Sequence, residues 1–218
     1  MIPPRAGAVV LLALLARPAR AETPDGRPVA QLSGIAGYQL TSTVYTNGGS
    51  IGIDGAGTYG ALLALALHPE VDFELLWTIS STQARFVSAT PGAPSAFPSP
   101  LMINYFQLGV TKSVRTGMVE SFGEATAGLV LLSPTPVRLT SGDTLAVTST
   151  VQFSFTLAAG LRIRFVEQLA LVLEARLLAP VYISGGAFFA GGGGAVLAVS
   201  AGIPCVQGAF SGGLTFSF

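Results

Sequence analysis

The sequence predicts an all-β chain, folded as an eight-stranded antiparallel up-and-down transmembrane β-barrel. Three observations predict it. Apolar and polar residues alternate along most of residues 34–218. The alternating runs number eight, and their connections are by turns long and short. Only 10% of the 218 residues are charged, although 50% are hydrophobic. A soluble domain carries about 25% charged residues, so this chain has too few to cover a water-facing surface.

The first 21 residues have the plan of a secretory signal peptide. Arg5 supplies the positive start. Ala8 to Ala16 is an apolar run, shorter than the roughly 20 residues of a membrane-spanning helix. Ala19-Arg20-Ala21 is a small-x-small cleavage site. Removal of this leader would start the mature chain at Glu22 and discard Arg5, Arg17 and Arg20. Eight basic residues would then face eleven acidic ones, a net charge of −3. Residues 22–33 are expected to form a periplasmic N-terminal segment and 34–218 the barrel. A chain that is neutral overall, or weakly acidic once trimmed, does not point to nucleic acid.

A period of two is the signature of a strand. The eight expected strands cover 34–45, 57–67, 70–83, 101–112, 118–132, 148–165, 168–182 and 205–218. In the third, Val71, Phe73, Leu75, Trp77 and Ile79 share one face, and Asp72, Glu74, Thr78 and Ser80 the other. In the sixth, Val151, Phe153, Phe155, Leu157, Leu161, Ile163 and Phe165 oppose Gln152, Ser154, Thr156, Gly160, Arg162 and Arg164. In the seventh, Leu169, Leu171, Leu173 and Leu177 oppose Glu174 and Arg176. In the last, Val206, Phe210, Leu214, Phe216 and Phe218 oppose Gln207, Ser211, Thr215 and Ser217.

The connections follow the same logic. Folding about His68-Pro69-Glu70 pairs Leu65 with Phe73 and Leu63 with Leu75, all apolar, and Ala64 with Glu74. A one-residue slip would turn every side chain over. Short turns are also expected around Ser113–Thr116 and Val166–Glu167. Long loops are expected at 46–56, 84–100, 133–147 and 183–204. Long outer loops and short periplasmic turns characterise membrane barrels, and an even strand count leaves both termini on the same side.

The charged residues decide which face is inside. In lipid every backbone group must be bonded within the protein, so a closed barrel is allowed and an open sheet edge is not. The broad apolar face then meets lipid, with Phe73, Leu75, Trp77, Phe153, Phe155, Leu171, Leu173 and Phe210 as lipid-facing residues. The narrow polar face fills the lumen. There Asp72, Glu74, Glu120, Glu124 and Glu174 meet Arg162, Arg164 and Arg176 as an ion-paired charge network. Eight strands leave room only for side chains.

Residues 183–204 carry no charge over 22 residues. Seven glycines, four of them consecutive at Gly191–Gly194, argue against a helix at about 1 kcal/mol each. The stretch is expected to be the last outer loop with apolar strand extensions; a helix packed into the barrel mouth is the alternative.

Catalytic chemistry has little to work with. The one histidine, His68, falls in a short turn, away from the outer rim where chemistry on this scaffold would sit. Asp72/Glu74 and Glu120/Glu124 are carboxylate pairs suited to acid–base work, but the arginines nearby favour ion pairing. One cysteine, Cys205, permits no internal disulfide and no cysteine-based metal site. The glycine run lacks the following Lys-Ser/Thr of a phosphate loop. No catalytic residue, metal or cofactor is expected.

With its leader, its eight strands and the ending Leu214-Thr215-Phe216-Ser217-Phe218, the chain resembles the small eight-stranded outer-membrane barrels, the superfamily of the OmpA membrane domain and the OmpX-type and OmpW-type proteins. The resemblance covers nearly all of the mature chain. It implies a monomer in outer-membrane lipid, with Leu214, Phe216 and Phe218 as the signal read by the barrel-assembly machinery. It fixes fold and location better than activity. A structural or surface-interaction barrel without enzymatic activity is the first function expected. A narrow channel for small apolar solutes, lined by the uncharged 183–204 and by Leu62, Ala64 and Ala66, is the second. A lipid-modifying enzyme is the third.

Overall fold

The computed structural model describes residues 28–46, 49–88, 99–135, 137–138, 144–145, 149–181, 187–191, 195–198 and 206–218. The expected signal peptide (1–21), residues 22–27 and Cys205 lie outside the described residues.

Eight strands close into one antiparallel up-and-down barrel. They are β1 (Ala30–Gln39), β2 (Ala56–His68), β3 (Val71–Ser88), β4 (Ser99–Thr116), β5 (Val119–Pro134), β6 (Thr150–Val166), β7 (Leu169–Val181) and β8 (Gln207–Ser217). Each pairs with its neighbours in sequence, and β1 pairs with β8 from Gln31↔Ser217 to Gln39↔Ala209. Closure removes the free edges that an open sheet would present. The Phe218 amide completes the seam by donating to the Ala30 carbonyl at 2.8 Å.

The turn at Pro69-Glu70 produces the expected register. Leu65 faces Phe73, Ala64 faces Glu74 and Leu63 faces Leu75. Pro69 suits the position, because its fixed φ favours a turn. The strands slip by one residue between Ala66 and His68, so the connection is a two-residue turn beside a bulge.

Several boundaries differ from expectation. β1 begins at Ala30, four residues before the expected start at 34. The second short turn is Gly117-Met118, not Ser113–Thr116, because β4 runs on to Thr116. Gly117 has φ 63°, the positive value that tight hairpin turns require and glycine adopts without strain. The third turn is Glu167-Gln168. β3 continues to Ser88, five residues past 83.

The long connections carry structure of their own. Where a loop was expected at 46–56, Ser42–Thr46 and Gly49–Ile53 form a hairpin, and its second arm pairs with Ala84–Ser88. The barrel wall therefore extends beyond its rim on that side. Within 183–204 the described parts are the antiparallel pair Ala187–Gly191 and Ala195–Ala198, strands rather than a helix. Val137–Arg138 and Thr144–Leu145 make a smaller pair.

Candidate functional site

All eight charged residues expected in the lumen point into it, each at most 6% exposed. They come from β3, β5, β6 and β7, and the cross-strand register explains how they meet. Glu120 on β5 stands directly opposite Arg162 on β6. Arg162 Nη1 donates to Glu120 Oε1 at 3.0 Å, and Arg164 Nη2 donates to Glu120 Oε2 at 2.7 Å. One carboxylate thus holds two guanidiniums. Arg164 also reaches across the lumen to the Ser217 hydroxyl on β8, at 3.5 Å.

A second centre forms around Arg176 on β7. It grips Glu174, two residues away on the same inner face, through two bonds of 2.8 Å from Nε and Nη2. Such fork-to-fork contacts fix geometry as well as charge. Its Nη1 donates to Glu124 Oε1 at 2.9 Å. Ala158 lies between Glu124 and Arg176 in the register, and its methyl group leaves room for the long side chains to meet. The Ser211 hydroxyl adds a bond of 2.6 Å to Glu174. Glu74, fully buried, accepts a hydrogen bond from the Thr111 hydroxyl.

Arg162 is also held from the side, its guanidinium stacking 4.5 Å from the centre of the Phe122 ring, a cation–π contact. The ring fits because Gly160 faces Phe122 across the strands. A β-carbon at Gly160 would lie 2.5 Å from the ring and 2.4 Å from the Leu173 carbonyl oxygen.

Uncharged polar groups that charge counting missed fill the next level. Gln107 donates to Ser154 at 3.0 Å and accepts from Thr156 at 2.8 Å and Thr126 at 3.2 Å. Gln207 accepts from Gln39 and from Tyr105, the latter at 3.2 Å. The inward parity of these positions was the available signal.

The lumen also holds two apolar clusters, a correction to a purely polar interior. One packs Ala84, Leu101, Ile103, Tyr105, Val130, Leu132, Leu178 and Ala209 toward the long-loop end. The other packs Ile35, Leu62, Ala64, Leu76, Phe122 and Val172. Leu62 and Ala64 are therefore core residues in contact with neighbours. A lumen cavity lined by Gln39, Thr58, Thr78, Tyr105 and Arg176 has a volume of about 20 Å³, room for about one water molecule.

The outer face carries the opposite chemistry. Leu75, Trp77, Phe155, Leu173 and Phe210 are exposed, and Phe73, Phe153 and Leu171 are half-buried on the same side. Phe153 and Phe155 meet edge to face at 4.8 Å. Leu214 is exposed and Phe216 and Phe218 are half-buried at the short-turn end. His68 is exposed where β2 enters its turn.

Fold and interior together define a class: a closed eight-stranded barrel, apolar outside, with a packed and charged lumen. Solved structures share its fold. Neisserial surface protein A (NspA) aligns with a TM-score of 0.56 at 13% identity, over 87% of this chain and 96% of its own. The outer membrane protein OprG from Pseudomonas aeruginosa aligns with a TM-score of 0.54 at 9% identity, over 88% and 97%. At these identities the likeness is one of fold. No protein-family model and no curated protein sequence matches the chain.

Proposed function

We propose that this chain is an outer-membrane β-barrel protein of a Gram-negative-type envelope. Its role is structural or one of surface interaction, without enzymatic activity, and its lumen is closed to solutes. The inversion of its two faces carries this reading: the outer face is apolar around the barrel, while the lumen buries eight charged side chains. In water such a surface would be far larger than the apolar patch of a typical monomer. In a bilayer it matches the solvent, and the closed barrel leaves no backbone edge unsatisfied. The likeness in fold to a neisserial surface protein and a Pseudomonas outer-membrane protein supports the same placement. Outer-membrane lipid is then the partner of the outer face. The barrel-assembly machinery is the partner of Leu214, Phe216 and Phe218 during insertion, and the inserted barrel is a monomer.

The test is fractionation of a Gram-negative host that expresses the whole chain, followed by gels of heated and unheated samples. A folded membrane barrel resists SDS until boiled, so the two samples should migrate differently, with the protein in the outer-membrane fraction. Identical migration of a protein found in the soluble fraction would overturn the proposal.

A further inference from the structure

We infer that Glu74 and Glu124 share one proton inside the lumen, so that the barrel holds a carboxyl–carboxylate pair at neutral pH. Thr111 stands opposite Glu124 in the register and donates to Glu74, so the two carboxyl groups converge on one place in the lumen. Each is bound elsewhere through its other oxygen, Glu74 Oε2 to Thr111 and Glu124 Oε1 to Arg176. Glu74 Oε1 and Glu124 Oε2 remain buried with no donor. A buried acceptor left without a donor is costly, and two carboxylates that share one buried site do not both keep their charge. One proton between these oxygens resolves both problems, because it makes a single short O–H···O⁻ bond.

The charges that surround the pair supply no other answer. Asp72 shares β3 with Glu74, and β4 contributes the neutral Thr111. Glu120 stands on β5, Arg162 and Arg164 on β6, and Glu174 and Arg176 on β7. Among the described residues, five lumen carboxylates face three guanidiniums; Arg162 and Arg164 bond Glu120, and Arg176 bonds Glu124 and Glu174. Among the described residues no three carboxylate, imidazole or thiol groups are arranged to hold a metal ion.

Infrared spectroscopy of the barrel in vesicles at pH 7 tests this directly. The expected result is the carbonyl band of one protonated carboxyl per barrel, present in the folded wild type and lost on unfolding in the same buffer. Glu74→Gln and Glu124→Gln should each remove it, because the amide takes over the donor role. Retention of the heat-dependent gel shift would show that each variant folds. Absence of the band in the folded wild type overturns the inference, and so does a band that survives both substitutions. Absence of the band from the wild-type spectrum overturns the inference even if a variant fails to fold, and it does so independently of where the barrel resides.

Discussion

Glu120 and Arg162 stand opposite each other on neighbouring strands, and their side chains meet at 3.0 Å inside the barrel. Both are about 2% exposed. Water cannot take over when one is removed. Arg164 binds the same carboxylate, so Glu120 is the negative centre for two positive groups.

Glu120→Ala should therefore destabilise the barrel by about 3–5 kcal/mol, the usual result of stranding a buried charge. Asp54→Ala should change stability by less than about 1 kcal/mol, because its pair with Arg85 lies in solvent, with the side chains 36% and 53% exposed. Urea unfolding of both variants in vesicles checks the contrast. Equal effects would mean that the lumen is wet.

Gly160→Ala brings a methyl group against the Leu173 carbonyl and the Phe122 ring. The backbone oxygen cannot yield cheaply, so a loss of about 1–3 kcal/mol is expected. Gly123→Ala, on the outer face with nothing within 4 Å, should be neutral. The same unfolding series separates the two, and a harmless Gly160→Ala would contradict the Phe122 placement.

Leu173→Arg puts a charge on the outer face midway along β7. In a bilayer this should lose about 2–4 kcal/mol, whereas Val166→Arg at the short-turn rim should lose about 0–1 kcal/mol. Comparable losses at both depths would count against an apolar surrounding at Leu173.

The packed lumen should not pass ions. Purified barrel in a planar bilayer is expected to show no openings above background. Steady single-channel steps would show that the lumen charges and apolar clusters part from one another, against the closed-lumen proposal.

The sequence by itself determined the parity of the barrel. Wherever charges alternate with large apolar residues, as in Val71–Ser80 or Leu161–Phe165, period two dictates which side chains share a face. Strand count and the hairpin register at Pro69 follow from the same alternation, because a slip would bury the wrong set. Parity failed where both faces are apolar. In Leu129–Leu132 and Leu101–Ile103 no polar residue marks the inner side, so Leu101, Ile103, Val130 and Leu132 were not legible as lumen core. Strand ends were hidden for a related reason: turn residues such as Gly117 are read only once the pairing sets the register.

Only the tertiary structure decided which inward groups meet. Glu124 and Arg176 lie 52 residues apart and touch because Ala158 separates them across the sheet. Arg162 takes Glu120 because register sets them face to face, and Phe122 can support it because Gly160 leaves space for the ring. Alternation is a property of one strand, fixed by local geometry. Pairing inside a closed barrel depends on the stagger between strands and on the volume that neighbouring side chains leave free, and neither is encoded in any single run of residues.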